Sequence, residues 1–440
     1  MSPSIRRTTA PFALAATAVL LLAGCAEGGG DDANATEGQT VKIAGAINGV
    51  EADLLNQSFE KFTADTGITV EYSGDKSFEG NIVTKVAGGS APDIAIVPQP
   101  GLLQSLIETG DVVEGSSAVE SNVDEYWSED WKGYGSVDGT FYAAPMLANV
   151  KGYVWYSPAK FAEWGVEVPT TWDETLALTK TIRDKTGVAP WCAGFNSGDA
   201  SGWAGTDWIE DLVLRQSGPE TYDDWVAGDV PFTDPQIKEA FDAVGEILLN
   251  PDYVNAGFGG VTSINSTTNG DAAAKVADGS CALSHQATFF TSYLLTTKTA
   301  AGTEPVVAPD GDIYGFILPG ITEGESLVEA GGEFVAAFSD SAATQKVVEY
   351  MSTPEWADER VKLGGVISAN KGSDASLASS EILVDAMTTL QDDATTIRFD
   401  ASDMMPAVVG SGSFWKGIVS WIDGRDTETV LSDIEAGREN

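Results

Sequence analysis

The sequence predicts an α/β protein whose parallel sheet is covered by helices on both faces. Between residues 40 and 110, short apolar strands alternate with helical patterns, which is typical of strand–helix–strand units. The chain has 440 residues and an apolar fraction of 43%. A chain of this length is too long for one compact core, so two domains are expected.

Apolar spacing and glycine set the elements of this first part. Leu55, Phe59 and Phe62 share one face of a predicted helix at 51–66, which Gly67 ends. Alternating apolar residues predict a strand at 68–72. The other predictions are strands at 41–47 and Ile94–Val97, and helices at Phe78–Ala87 and 102–109. Since ligands bind beyond the carboxyl ends of parallel strands, the loops at 48–49, 73–77 and 98–100 are candidate binding loops.

Residues 1–24 have the parts of a secretory signal peptide: the basic Arg6 and Arg7, an apolar run, and small residues before Cys25. The run is shorter than the roughly 20 residues that span a membrane. The motif Leu-Leu-Ala-Gly-Cys at 21–25 resembles a bacterial lipobox, which implies that Cys25 receives a diacylglyceryl group and becomes the mature N-terminus. The alternative is an ordinary signal peptide with a chance cysteine. Residues 25–39 are predicted to be the lipidated N-terminus and a flexible tether.

The net charge indicates which binding partners to expect, and the cysteine content is interpreted together with the cellular compartment. The net charge is −42, from 66 acidic and 24 basic residues. Such a protein repels phosphate backbones, so nucleic acid is not expected as a partner and strongly anionic ligands are disfavoured. In an oxidising compartment, the remaining Cys192 and Cys281 are expected to form a disulfide bond. The alternative is two separate buried thiols.

The sequence offers little for common catalytic chemistries. His285 is the single histidine and is interpreted as a structural or surface residue. There is no Gly-x-Ser-x-Gly turn, no set of zinc ligands, and no phosphate-binding or dinucleotide-binding motif. The sequence therefore predicts no catalytic residue, no metal and no cofactor, and we do not expect an enzyme.

Several stretches are similar to the extracellular solute-binding proteins of carbohydrate ABC importers, the maltodextrin-binding-like family. They are Phe-Thr-Ala-Asp-Thr-Gly-Ile-Thr-Val at 62–70, Gly-Gly-Ser-Ala-Pro-Asp-Ile at 88–94, Asp-Gly-Thr-Phe-Tyr-Ala-Ala-Pro at 138–145 and Val-Pro-Thr-Thr-Trp-Asp-Glu at 168–174. Two further stretches, Arg-Phe-Asp-Ala-Ser-Asp-Met-Met-Pro at 398–406 and Gly-Ser-Phe-Trp at 412–415, resemble the α-glucoside-binding branch of that family.

This resemblance implies a two-lobed periplasmic-binding-protein-like α/β fold, with the ligand cleft between the lobes and three inter-lobe crossovers. The extended runs at 141–157, 314–319 and 364–369 would be the crossovers. Lobe one would comprise 40–145 plus 319–365, and lobe two 150–313 plus 370–437.

A sugar has apolar faces and a rim of hydroxyls, so its site needs aromatic rings and short polar side chains. Trp203 lies in a glycine-rich loop and is a candidate for stacking, whereas Trp208 fits a buried helix face and is assigned to the core. The resemblance implies a stacking aromatic residue in the last segment, which would be Trp415, with Phe414 as its rival.

Polar candidates follow the predicted strands or lie in loops near glycine. They are Asn48, Glu51, Gln99, Glu333 and Asp403. Gly332 is a further candidate, because glycine lets backbone approach a ligand closely.

Together these features predict the substrate-binding receptor of an ABC sugar importer. Its partners would be a small neutral carbohydrate, expected to be an α-linked gluco-oligosaccharide or disaccharide, and the permease subunits. The receptor would be a monomer at the extracellular face of the cell membrane, held there through its lipid anchor alone. One alternative is an extracellular glycoside hydrolase, which needs two carboxylates across a sugar. Another is the same receptor fold binding a non-sugar solute.

Overall fold

A computed structural model describes residues 36–255, 258–322, 327–392 and 394–439. The predicted signal peptide, Cys25 and most of the predicted tether lie outside these described residues. Among the helices of the described ranges, none combines the length and the hydropathy needed to cross a membrane.

The regular elements of the described residues are β-strands and α-helices. The strands are β1 (Thr40–Gly45), β2 (Thr69–Gly74), β3 (Ile94–Val97), β4 (Ser136–Val137), β5 (Thr140–Phe141), β6 (Ala143–Val150), β7 (Tyr153–Tyr156), β8 (Leu283–His285), β9 (Tyr314–Ile317), β10 (Leu327–Ala337) and β11 (Thr396–Phe399). The helices are α1 (Val50–Gln57), α2 (Glu60–Thr66), α3 (Phe78–Ala87), α4 (Pro100–Ile107), α5 (Ser117–Tyr126), α6 (Glu129–Tyr134), α7 (Pro158–Trp164), α8 (Trp172–Thr186), α9 (Trp203–Ala227), α10 (Pro235–Leu248), α11 (Asn269–Ala277), α12 (Phe290–Leu294), α13 (Ala342–Met351), α14 (Pro354–Lys362), α15 (Glu381–Gln391), α16 (Ala401–Met404), α17 (Trp415–Ile422) and α18 (Thr427–Glu435).

The larger sheet has six strands, in the order β11-β10-β3-β1-β2, with β6 also paired to β10. β1 pairs in parallel with both β2 and β3, as the sequence predicts. β10 runs antiparallel to β3 and to β6, so the sheet is mixed and not purely parallel. The smaller of the two main sheets has three antiparallel strands, in the order β8-β7-β9, and β4 and β5 form a separate antiparallel pair.

The chain passes between the two sheets in segments that the sequence marks as extended. β6 belongs to the larger sheet and β7 to the smaller one, and the chain later returns from β9 to β10. In the third extended run, Ile367 forms an antiparallel bridge with Ala148 of β6. The lobe bounds themselves stay a prediction, although β11, which falls within the second predicted lobe, pairs with the larger sheet.

The predicted helix at 51–66 is two helices, α1 and α2. Ser58 lies between them, where its hydroxyl donates to the Leu55 carbonyl oxygen (2.7 Å) and accepts from Nε1 of Trp356 (3.1 Å). Side chains that bond their own backbone compete with helical hydrogen bonds, which gives the break a local cause. Gly67 ends α2 in the left-handed conformation, with a φ of 71°.

Two interpretations made from sequence are confirmed in the core. Trp208 is buried, and its ring centroid lies 4.3 Å from that of His285. His285 is buried as well, with Nε2 2.8 Å from Oδ2 of Asp211, so it has a structural role. The predicted disulfide bond is also present: Cys192 and Cys281 are joined, with their Cα atoms 6.0 Å apart.

Candidate functional site

Most of the predicted binding residues line one cavity. It has a volume of about 220 Å³ and is lined by residues that follow β1 and β3, by the end of β6, by the start of α9 and by the middle of β10. Among the predicted residues, it is lined by Glu51, Gln99, Trp203, Gly332, Glu333, Asp403 and Trp415. The carboxyl ends of the parallel strands therefore do form part of this cavity.

Two predicted residues lie elsewhere. Asn48 lines an adjoining opening of about 700 Å³, where its Nδ2 donates to the Ala46 carbonyl oxygen (2.5 Å). Phe414 does not line the cavity. It is fully buried, and its ring packs against those of Phe232 and Trp225 at centroid distances of 4.9 and 5.7 Å. The prediction that Phe414 stacks on the ligand is therefore wrong. Phe414 is the last residue of a π-helical turn, Val408–Phe414, and its ring packs in the hydrophobic core.

The two tryptophans of the cavity are brought together by a glycine. Gly202 precedes α9 with a φ of 109°, and a Cβ atom added there would lie 2.3 Å from the Trp415 carbonyl oxygen. Only glycine allows this close approach and this backbone conformation without strain. The start of α9, which carries Trp203, therefore packs directly on the start of α17, which carries Trp415.

Two further aromatic residues of the cavity, Phe289 and Tyr293, escaped the sequence analysis. The Phe289 ring lies 5.8 Å from the Trp203 ring, centroid to centroid, at an interplanar angle of 53°. Burial raises the pKa of the Tyr293 hydroxyl to about 12, so this group stays protonated. Phe289 immediately precedes the short helix α12 and Tyr293 lies within it, in an apolar run that looks like ordinary core in sequence.

Lys151 is the centre of a buried ionic network that reaches the cavity. Its Nζ lies 3.0 Å from Oδ2 of Asp207 and 2.8 Å from Oδ2 of Asp400, and all three side chains are buried. The same Nζ lies 5.2 Å from the centroid of the Trp203 ring. Burial alone would lower the pKa of Lys151, but the nearby carboxyl groups, chiefly Asp207 and Asp400 with Asp403 and Glu329, together hold this pKa well above its ordinary value.

Four further carboxyl groups line the cavity: Glu51, Glu79, Glu333 and Asp403. We call them the acidic set. Burial is the largest cause that raises the pKa of each, and for Glu333 it does so, together with the charge of Glu51, to about 7. Arg360, a buried residue of α14, opposes this effect at Glu51 and Glu333 but does not line the cavity.

The cavity also holds two buried amide oxygens without a hydrogen-bond partner, Oε1 of Gln99 and Oδ1 of Asn149. The Gln99 amide forms a hydrogen bond with the Glu79 carboxyl group. A carboxylate only accepts, so the Gln99 nitrogen is the donor and its oxygen is left as a free acceptor. Leaving a buried acceptor unpaired costs about 1–3 kcal/mol, which favours a ligand that supplies donors.

One set of carboxylates in the described ranges is close enough to share a metal ion: Asp207, Glu329 and Asp400. Lys151 already pairs with two of these three side chains. Its ammonium group therefore supplies positive charge at Asp207 and Asp400, while burial raises the pKa of Glu329 well above its ordinary value.

The surroundings of the cavity suit an uncharged or cationic solute with apolar faces. Trp203, Phe289, Tyr293 and Trp415 supply aromatic surface, and the acidic set and the two free amide oxygens accept hydrogen bonds. Two carboxyl groups near one solute are also what a glycoside hydrolase needs, so the arrangement alone does not separate binding from hydrolysis.

Comparison with known proteins identifies the family of this chain. The family model described as bacterial extracellular solute-binding protein matches residues 48–358. The chain is 37% identical over 399 residues to an osmoprotective compounds-binding protein of Synechocystis, covering 90% of this chain and 91% of the relative. It is 34% identical over 418 residues to an alpha-glucosides-binding periplasmic protein of Rhizobium meliloti, covering 91% and 87%.

Solved structures agree in fold. A bacterial solute receptor with a preference for β-D-galactopyranose has a TM-score of 0.76 at 19% identity, with 91% of this chain and 98% of that chain covered. A maltose-bound protein of T. maritima has a TM-score of 0.71 at 15% identity, with 91% and 98% covered. The protein therefore has the two-lobed α/β fold of these receptors, as the sequence predicts.

Proposed function

Because the chain belongs to the bacterial extracellular solute-binding protein family, we propose that it is the substrate-binding receptor of an ABC sugar importer. Its ligand in this proposal is a small α-linked gluco-oligosaccharide or disaccharide. The name of the Rhizobium meliloti relative, which refers to α-glucosides, supports this ligand class, whereas the name of the Synechocystis relative refers to osmoprotective compounds.

The observation that carries the proposal is the combination of aromatic rings and acceptor atoms around one cavity. Trp203 and Trp415 offer faces for the C–H surface of a sugar ring. Gln99 and Asn149 offer buried oxygens that need a donor, and each sugar hydroxyl supplies one. A micromolar dissociation constant corresponds to roughly −8 kcal/mol, which a few such contacts provide.

Capture would proceed by closure of the two lobes over the sugar. The lining residues come from elements around both sheets. Glu333 lies on β10 of the larger sheet, whereas Trp203 begins α9, whose Trp208 and Asp211 contact His285 of β8 in the smaller sheet. A ligand that touches both sides binds the closed form better than the open one and so shifts the population towards it. The closed receptor would then deliver the sugar to the permease subunits.

The lipid anchor at Cys25 belongs to the same proposal. A receptor held at the extracellular face of the membrane as a monomer stays close to its permease, and a tether at 25–39 would let it reorient to dock. Confinement of this kind raises the effective concentration of the receptor beside its partner.

A thermal-shift screen of the protein lacking residues 1–24 tests the proposal. The panel comprises maltose, trehalose, sucrose and isomaltose, with a polyol as the non-sugar solute. A ligand should raise the melting temperature with a concentration dependence that follows RT ln(1 + [L]/Kd). No shift with any sugar would reject the assignment, and a shift with the polyol alone would transfer it to a non-sugar solute.

The hydrolase alternative is tested on the same samples. Incubation of each binding sugar with the protein, followed by chromatography, should recover the sugar unchanged. Release of glucose at a rate that depends on Glu51 or Glu333 would replace the receptor with an extracellular glycoside hydrolase.

A further inference from the structure

Acidic side chains outnumber basic ones in the lining of the cavity. Its described lining contains the four carboxyl groups of the acidic set and the free oxygens of Gln99 and Asn149. Lys151 is the single basic side chain of this lining, and its charge is already paired with Asp207 and Asp400. A bound solute therefore meets several acidic groups and no unpaired basic group in this lining, and a cation bound there would favour the ionised forms of carboxyl groups whose pKa burial raises.

A protonated amine matches this lining better than a hydroxyl does. An ammonium group offers three donors and no lone pair, whereas each hydroxyl also presents lone pairs to the surrounding carboxylates. Hydrogen bonds between a charged donor and a carboxylate are stronger than those between neutral groups. The two buried amide oxygens provide the further acceptors that an ammonium group needs once it leaves water.

The aromatic side of the cavity already accepts a cation. The Lys151 ammonium lies 5.2 Å from the centroid of the Trp203 ring. Aromatic faces attract cations through their quadrupole, so Trp415 does not oppose a positively charged ligand, whereas the Trp203 ring already has the Lys151 ammonium beside it. Burial also raises the pKa of the Glu51 and Asp403 carboxyl groups, and a cation nearby would stabilise their ionised forms.

The net charge of the whole protein acts in the same direction. At −42, it produces a field that draws cationic solutes towards a cleft lined by carboxylates. Resting on the proposed function, we infer that the cavity binds an amine-bearing α-glucoside more tightly than the matched neutral sugar. A uronic acid of the same skeleton, which brings a negative charge to the acidic set, is bound more weakly than either.

Isothermal titration calorimetry with two matched series tests this inference. Maltose and trehalose are each compared with their amino-deoxy derivatives, with the amine at C2 or at C6, and with their uronic acids. At low salt, at least one amine should bind about tenfold more tightly than its parent, the gain expected when a neutral hydrogen bond becomes charge-assisted. That advantage should shrink as sodium chloride is added, while the affinity of the neutral parent changes little.

Three variants connect the effect to the acidic set. Glu51→Gln and Glu333→Gln should each reduce the advantage of the amine over the neutral sugar. Asp184→Asn, which removes the same charge from an exposed helix position, should leave this advantage unchanged. Loss of the advantage in Asp184→Asn to the same extent would overturn the assignment to the cavity.

The outcomes separate this inference from the proposed function. If a neutral parent binds and every amine binds equally or more weakly, or if the amine advantage is insensitive to salt, the inference is wrong and the receptor function stands. If amines bind and no neutral sugar does, the charge preference holds and the neutral ligand is wrong. If no sugar of either series binds, both are rejected.

Discussion

Phe414 and Trp415 are consecutive in the chain, yet their side chains lie in different environments. The Phe414 ring lies 4.9 Å from the Phe232 ring in the hydrophobic core, whereas Trp415 lines the cavity. The π-helical turn Val408–Phe414 ends between them, and α17 begins at Trp415. Two aromatic residues that are rivals for one role in the sequence are thus divided between the hydrophobic core and the lining of the cavity.

Alanine at each position should separate these roles. Phe414→Ala should lower the free energy of unfolding by about 3–5 kcal/mol, because a buried ring leaves a cavity. Trp415→Ala should weaken the binding of the sugar found by screening about tenfold or more, since a stacking face is lost. Urea denaturation and calorimetry measure the two effects. A larger loss of affinity in folded Phe414→Ala than in Trp415→Ala would contradict this division.

Removal of Lys151 should be costly for stability. Lys151→Met leaves Asp207 and Asp400 buried without their cation, which should lower the free energy of unfolding by about 3–5 kcal/mol. Lys160→Met is the matched control, because Lys160 pairs with Glu163 on the exposed surface, where such a pair contributes about 0–1 kcal/mol. Equal losses in the two variants, measured by urea denaturation, would argue against a stabilising role of the network.

The disulfide bond should stabilise the folded protein by restricting the unfolded chain. Cys192 and Cys281 are 89 residues apart, and replacing both by alanine should lower the free energy of unfolding by about 2–5 kcal/mol. A reducing agent should lower the melting temperature of the wild type and leave that of the double variant unchanged. If thiol quantitation shows the bond open and the melting temperature is unaltered, the bond has no stabilising effect.

Glu333 should give the stability a specific pH dependence. Its pKa is raised to about 7 in the folded protein, so the folded state binds this proton more tightly than the unfolded state does. The contribution of Glu333 to stability should therefore fall as the pH rises from about 4.5, its usual range, to 7. Glu333→Gln should gain stability relative to the wild type across this interval.

Denaturation at pH 5, 6, 7 and 8 measures this difference. Glu163→Gln, which removes the same charge at an exposed position, serves as the control. A difference between Glu333→Gln and the wild type that does not change with pH would show that the Glu333 proton is not held more tightly in the folded state.

Local sequence patterns predicted local structure well. α3 and β3 have the predicted bounds, Phe78–Ala87 and Ile94–Val97, because apolar spacing and flanking glycine or proline determine them within a few residues. The antiparallel insertion of β10 beside β3 was not predictable in this way. Its register joins Phe334 to Val97, and no short-range pattern records a partner so distant in sequence.

The same distinction holds for the site. Glu51 and Gln99, which are predicted because they follow strands of a parallel sheet, both line the cavity. Asn149 and Lys151 were missed, because they lie at the end of a long apolar run whose polar residues have no evident partners in sequence. The partners of Lys151 are 56 and 249 residues away, so its pairing exists only in the folded chain.

The pairing of β10 has a consequence for the order in which the chain can fold. The larger sheet joins a strand that begins at Thr40 to one that ends at Phe399. Its contact order is therefore high, and the loop-closure entropy must be overcome before these contacts form, which slows folding. Because synthesis begins at the N-terminus, β1, β2 and β3 are made long before β10 and β11, which complete the sheet. Stable folding must then wait until nearly the whole chain has been synthesised.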